Sequence, residues 1–372
     1  MIPGQAAIDD AAVTVAGATI VRVEPFGASG RAGGATVADL GEITLCPGLI
    51  NAHGHLELAH LAGTCPRGAG FAAWVRWLLS QPLVCRDPGP AASALASMAA
   101  TGSQALADVS TRRQAQVAAA CRAASFPALL FNEFFGCWQA RPDVLPWPDQ
   151  APPPGEIGGQ DVPQRTAAAG HALYSTNPEI LRLAKAFDNA HGLPFTIHLA
   201  EHLGEVELLA TGRGEFADLL AQRVLPKDYR APGLTPVAYA QRLGLLGATT
   251  LAVHCVHAGR RDREILTATN TAVCLCPRSN AVIGVGQAPF ADYFASSLRL
   301  CLGTDSLASN DDLNLWNEAR FLREAMPAPP PPGRLLAAMT STPAQVLGFD
   351  RLGALAPGRL ARLARVPEDF DG

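Results

Sequence analysis

The chain has 372 residues, of which 48% are apolar and 17% charged, and it carries a net charge of −4. That is enough apolar material for one large α/β domain with a small companion, and it excludes disorder outside a few loops. No basic stripe exists to neutralise a phosphate backbone, which argues against nucleic acid as a partner.

In chain order, the opening MIPGQAAIDDAA lacks the basic region of a signal peptide. AAVTVAGATIVRVEPFG (11–27) alternates and turns on glycine, as a small β-hairpin does. Eight short apolar runs then follow, each ending in a polar or charged residue: ITLCPGLINAH (43–53), QALADVS (104–110), PALLFNEFF (127–135), GHALYS (170–175), PFTIHLAE (194–201), TTLAVHC (249–255), TAVCLCP (271–277) and LRLCLGTD (298–305). Helical stretches separate them, so the pattern predicts parallel βα units and a closed (β/α)8 TIM-type barrel over 47–345. An open doubly wound sheet is the alternative, but no GxGxxG follows the first run. The end of the chain, RLGALAPGRLARLARV (351–366), resembles the opening hairpin. The two ends, 1–46 and 346–372, are expected to pair into a small β-sandwich domain. Proline-rich segments at 141–159 and 326–334 read as loops, the first long enough to shape a site's mouth. No run reaches the roughly 18 apolar residues that cross a bilayer. Nine scattered cysteines read as reduced thiols of a cytoplasmic protein, Cys274 and Cys276 as buried structural ones.

The chemistry gathers at the ends of the runs. In NAHGHLEL (51–58), His53 and His55 are two apart and share one face of a strand end. In a barrel that end is the mouth, where such enzymes place their sites. Imidazole is a common ligand for zinc and suits iron. Alone, the pair reads sooner as ordinary partnered histidines than as metal ligands. His198, His254 and Asp305 close three further runs, and a metal would turn a costly buried carboxylate into a paired one.

PGLINAHGH, HLAE, VHCVH and LGTDSLASNDDLNLWNE, in this order and spacing, resemble the amidohydrolase superfamily. The match is to the metal-dependent branch that holds adenosine-type, guanine and cytosine deaminases and triazine hydrolases. The resemblance implies that His53, His55, His198 and Asp305 hold one divalent metal ion, zinc or alternatively iron, and that Asp305 also serves as the base. It further implies that Glu201 carries a proton to a ring nitrogen, that His254 polarises the attacking water and that His171 binds substrate. The fourth run has no lysine, as this mononuclear branch requires. More narrowly, HLELAHLAGT, LLFNEFFG and HLAEHLGEVELLATGRGEFADLL look like aminodeoxyfutalosine deaminases, which act on an adenine nucleoside analogue in a menaquinone route. The implied reaction is hydrolytic release of ammonia from a 6-aminopurine nucleoside by a metal-activated hydroxide. Alternatives are hydrolysis of another amino- or chloro-substituted ring, of guanine, pterin, pyrimidine or triazine type, and a non-catalytic binding protein on the same barrel. The C-terminal APGRLARLARV lacks the acidic residue usual in such relatives.

Other residues are candidates by position. Asn132 and Glu133, near the end of the third run, and Trp138, just past it, are expected to touch the ring or its sugar, with Phe134 and Phe135 as further stacking candidates and Asn177 after the fourth run. Glu57 and His60 read either as a surface pair or as substrate contacts. His257 reads as structural, and Ser279 and Asn280 as loop or substrate residues. Phe71, Trp74 and Trp77 read as core. The expected partner is a small amino-heterocycle, with no membrane. Pairing into a homodimer follows from the resemblance, and no residue of the chain points to it.

Overall fold

The computed structural model describes residues 7–28, 36–136, 138, 143–149, 151–156 and 162–370. Eight parallel strands form a near-closed barrel: β4 (Leu49–Gly54), β5 (Ser103–Ser110), β6 (Ala128–Phe134), β8 (Gln164–Ala172), β9 (Phe195–Leu199), β10 (Thr250–His254), β11 (Ala272–Leu275) and β12 (Leu300–Leu302). Each pairs with the next in sequence, except that β7 (Gly155–Glu156) intervenes between β6 and β8 and lies antiparallel on the edge of β8. Helices such as Pro178–Ala190 and Arg260–Ala268 follow the strands. The first and last strands meet at the mouth. There Gly54 bridges Asp305 in parallel, and the Asp305 N–H donates to the His53 carbonyl at 3.0 Å. The ring of strands is thus joined at two of the residues singled out above.

Alternation divides the strands between two layers. Ile50, Ala52, Ala105, Ala107, Leu129, Phe131, Ala167, Ala169, Leu251 and Val253 share the inner packing layer with Cys274, Cys276 and Cys301. Phe195, Ile197 and Leu199 face the helices. Strand bounds differ from the sequence expectation chiefly at the fourth run, where the strand begins at Gln164, six residues before Gly170. QRTAAA is apolar only in its second half, so hydrophobicity alone hides its start.

At the chain ends, β1 (Ala11–Ala16) and β2 (Thr19–Pro25) form an antiparallel hairpin, and β3 (Leu45–Pro47) pairs antiparallel with β13 (Leu363–Arg365). These are two separate two-stranded sheets. Backbone bonds from Ile20 to Arg359 and from Ala361 to Ala18 join the hairpin to the C-terminal segment. Part of the 141–159 loop lies outside the described residues, as do positions 1–6 and 29–35. No helix among the described residues is long and apolar enough to cross a membrane.

Gly303 marks how tightly the barrel packs beneath its mouth. A Cβ there would lie 2.7 Å from the His53 Cβ, 2.9 Å from the Cys274 sulfur and 3.0 Å from the His53 nitrogen. Gly303→Ala is expected to lower the free energy of unfolding by about 1–3 kcal/mol, the usual cost of overpacking, as measured by urea denaturation. An unchanged midpoint would show that this layer has slack.

Candidate metal centre and proton-transfer site

Three imidazoles converge at the mouth. The Nε2 atoms of His53 and His55 are 3.1 Å apart, those of His53 and His198 3.3 Å, and those of His55 and His198 3.4 Å. Asp305 Oδ1 faces the same point, 3.5 Å from His55 Nε2 and 3.7 Å from His53 Nε2. His53, His198 and Asp305 are buried.

Second partners decide which atoms face inward. His198 Nδ1 donates to the His171 carbonyl at 2.9 Å, which leaves an Nε2 lone pair toward the cluster. Asp305 Oδ2 accepts hydroxyls from Ser279 at 2.7 Å and Ser309 at 3.0 Å, which leaves Oδ1 free to face the histidines. Three imidazole nitrogens at such separations cannot all hold protons between them, and their lone pairs repel. Nitrogen ligands about 2.0–2.1 Å from a tetrahedral zinc lie about 3.3 Å apart. The donor set and its spacing therefore fit a divalent ion.

Electrostatics point the same way. Burial pulls the pKa values of His53, His198 and His254 below the usual imidazole value, so these rings are neutral. Burial also lowers His55, but the Asp305 and Glu133 carboxylates outweigh it and raise that pKa. Asp305 is raised by burial but more strongly lowered by His55, His254 and its Ser279 bond, and it stays ionised. Glu201 behaves oppositely. Burial, then the Asp305 and Glu205 charges, push its carboxyl well above the usual carboxylate range.

Glu201 and His254 lie beside the cluster. Glu201 Oε1 is 3.7 Å from His254 Nε2. His254 donates Nδ1–H to Asn280 Oδ1 at 2.9 Å, and its ring stacks 5.6 Å from that of His198. Four non-glycine residues around the site have left-handed backbones: Ala200 (φ 50°), His254 (φ 71°), Cys255 (φ 47°) and Asp305 (φ 60°). Such conformations cost about 1–3 kcal/mol each and concentrate at functional sites. At His254 this turn breaks the strand alternation, in which Leu251 and Val253 face inward.

The remaining candidates divide. His171 binds Ser175 through Nδ1, and its ring lies 5.1 Å from that of His198. Glu133 is buried, with Oε2 held by the Thr111 hydroxyl at 2.6 Å and Oε1 3.5 Å from His198 Nδ1. Glu133, His171 and His198 thus form a second close group, although the His198 Nδ1 proton is already committed to a carbonyl. Phe135, 45% exposed, sets its ring 5.0 Å from that of His171.

Asn132 shares the alternation of Ala128 and Leu130, which pack toward the helices, so the strand does not carry it to the histidines. Glu57 is occupied elsewhere: its carboxylate accepts N–H groups of Thr111, Arg112 and Arg113 at 2.9–3.0 Å. His60 faces the Pro82 carbonyl instead, so the two share no partner. Trp138 sets its ring edge-on to Tyr229. His257 ties its Nε2 to the Val285 carbonyl, and Asn177 caps the helix Pro178–Ala190. Phe71 is core, but it also stacks on His202 at 3.8 Å. Sequence reasoning passed over Asp108, which accepts the Leu56 N–H at 2.7 Å and so fixes the backbone next to His55. Its signal was available, as the polar residue near the end of the second run.

A family model described as "Amidohydrolase family" matches residues 157–371. The chain belongs to the amidohydrolase family. It is a hydrolase that acts on C–N bonds. Over 170 residues it is 34% identical to an aminodeoxyfutalosine deaminase of Deinococcus radiodurans, a match covering 44% of this chain and 41% of that protein. Over 366 residues it is 29% identical to a 5-methylthioadenosine/S-adenosylhomocysteine deaminase of Nitratidesulfovibrio vulgaris, covering 94% of this chain and 78% of that one. Among solved structures, the Helicobacter pylori aminofutalosine deaminase in complex with methylthio-coformycin superposes with a TM-score of 0.80 at 19% identity, over 96% of this chain and 87% of that one. An adenosine deaminase from Xanthomonas campestris with bound zinc gives 0.75 at 24% identity, over 96% and 80%. At these identities the two structures speak to the fold alone.

Asn280→Ala would leave the buried His254 Nδ1–H without its acceptor. The expected cost is about 1–3 kcal/mol of stability, read as a lower urea midpoint. No change would mean that another acceptor takes the proton.

Proposed function

We propose that this amidohydrolase releases ammonia from the 6-amino position of an adenine-type nucleoside, such as aminodeoxyfutalosine. The observation that carries this reading is geometric: Asp305 Oδ1 lies 3.5 Å from His55 Nε2 and the buried Glu201 carboxyl 3.7 Å from His254 Nε2, with the surroundings holding Asp305 low and pushing Glu201 up. Two carboxyl groups driven apart in pKa by their surroundings are suited to opposite proton-transfer roles. The relatives named for 5-methylthioadenosine and aminodeoxyfutalosine support an adenine nucleoside over a pterin or a triazine.

His53, His55, His198 and Asp305 would hold the metal. A divalent ion at such a site supplies Lewis acidity that brings the pKa of water from 15.7 toward about 7. The protein's own groups do the rest. Asp305 accepts a proton from the attacking water, with the Ser279 and Ser309 hydroxyls fixing its other oxygen. His254, a neutral ring steered by Asn280, orients that water. Glu201 gives its proton to the ring nitrogen beside the carbon under attack, so the ring accepts negative charge without forming an anion. Asp305 then passes its proton to the departing amine; as the C–N bond breaks and ammonia leaves, the added hydroxyl becomes the carbonyl and its proton restores Glu201. His171, Glu133 and Phe135 line the side where the rest of the nucleoside would rest. The paired ends of the chain, 1–46 and 346–372, are read as a small β unit beside the 47–345 barrel, on the support of the β3–β13 pairing.

The test is an ammonia-release assay of the zinc- and iron-loaded protein against aminodeoxyfutalosine, 5-methylthioadenosine, adenosine, guanine, a pterin, cytosine and a triazine. Turnover of an adenine nucleoside is expected, and turnover of only a non-purine ring would overturn the substrate assignment. Glu201→Gln is expected to lower kcat by about 10²–10⁴-fold with the fold unchanged. Because Glu201 acts as an acid, wild-type kcat/KM should fall as pH rises through its pKa. That limb should lie above the ordinary glutamate value of about 4.3 and be absent from Glu201→Gln. Full activity in the variant would place the proton transfer elsewhere.

A further inference from the structure

The Glu201 carboxyl lies 3.7 Å from His254 Nε2, too far for a hydrogen bond, so its aim depends on the backbone that carries it. That backbone is strained: Ala200, immediately before it, is left-handed at φ 50°. Glu205 lies one turn into the helix Leu203–Thr211 and is fully buried. Its Oε2 accepts the Glu201 N–H at 2.9 Å, and the Ala200 N–H also lies against the same carboxyl. From the other side the His257 N–H donates to the Ala200 carbonyl at 2.9 Å.

This arrangement is not an ordinary helix cap. In a capping box the third helical residue reaches back to the N-cap N–H. Here the N-cap is His202, whose Nδ1 accepts the Glu205 N–H at 3.2 Å. The Glu205 carboxyl instead bonds the residue before the cap, on the turn that leaves β9. Its Oε1 has no hydrogen-bond partner. A carboxyl buried so incompletely satisfied is expensive for helix stability alone.

We infer that Glu205 is a positioning residue for the proton transfer. It holds the strained Ala200–Glu201 turn by that turn's amides and so sets the direction of the Glu201 side chain. The inference rests on the reading of Glu201 as the acid.

The experiment compares Glu205→Ala, Glu205→Gln and Glu205→Asp with wild type. Each is assayed for kcat and KM on the substrate found by ammonia release, for metal content, for unfolding midpoint and for amide hydrogen exchange across residues 199–205. Glu205→Gln keeps an acceptor in place and should retain kcat within a few-fold. Glu205→Ala should lose about 10–100-fold in kcat, the usual range for an outer partner of a site, with KM within about twofold, metal content unchanged and faster exchange at the 199–205 amides. Glu205→Asp, one methylene short, should fall between and serves if the alanine variant does not fold. Equal losses in the Gln and Ala variants, or a kcat per folded molecule unchanged in both Ala and Asp, would overturn the positioning role. Absence of any turnover by the wild type would instead remove the reading of Glu201, and the exchange measurement would still show whether Glu205 clamps the turn.

Discussion

The structure depends on one convergence. Three imidazole nitrogens and a carboxylate oxygen meet at the mouth of a parallel barrel, at separations that suit the ligands of one divalent ion. The groups come from β4, from β9 and from the turn after β12, about 250 residues apart at the extremes. A backbone bond between Asp305 and His53 joins the first and last strands at that same point. The site and the barrel closure are therefore one feature, and the layer directly beneath it is packed closely enough that Gly303 has no room for a methyl group.

Holding this geometry requires local conformations that most residues avoid. The left-handed turns at Ala200, His254, Cys255 and Asp305 all sit where a strand gives way to its loop. Each redirects a side chain or its neighbour toward the mouth. The surrounding bonds pin the strained turns: Tyr293 to the Cys255 carbonyl, Asn280 to His254, Ser279 and Ser309 to Asp305, and Glu205 to Glu201. The same pocket gives two carboxyl groups opposite fates. Asp305 is surrounded by imidazoles and hydroxyl donors, whereas Glu201 is buried between other acids.

Much of this was legible in the sequence, for a physical reason. Strand ends in a barrel share one rim, so polar residues that terminate apolar runs are neighbours whatever their separation along the chain. That reasoning places His53, His55, His198 and Asp305 together, and the structure brings them within hydrogen-bonding range of one another or nearly so. It works less well one residue away. Asn132 and Glu133 looked equivalent, but alternation sends only Glu133 inward. Glu57, three residues from His60, read either as half of a surface pair or as a substrate contact, yet three backbone amides already occupy it. Glu205 was missed because it acts on a backbone N–H group, and no sequence pattern shows which amide a buried carboxylate will find, whereas Asp108 was passed over although its place near the end of the second run marked it.

The account stands on the ion itself, and metal content of the purified protein tests it most directly. Elemental analysis after dialysis against metal-free buffer should find about one zinc or iron per chain in the wild type. His55→Ala and Asp305→Asn should each lose most of it while remaining folded. A folded wild type that takes up no divalent ion when zinc or iron is supplied, or variants that retain it in full, would contradict the account.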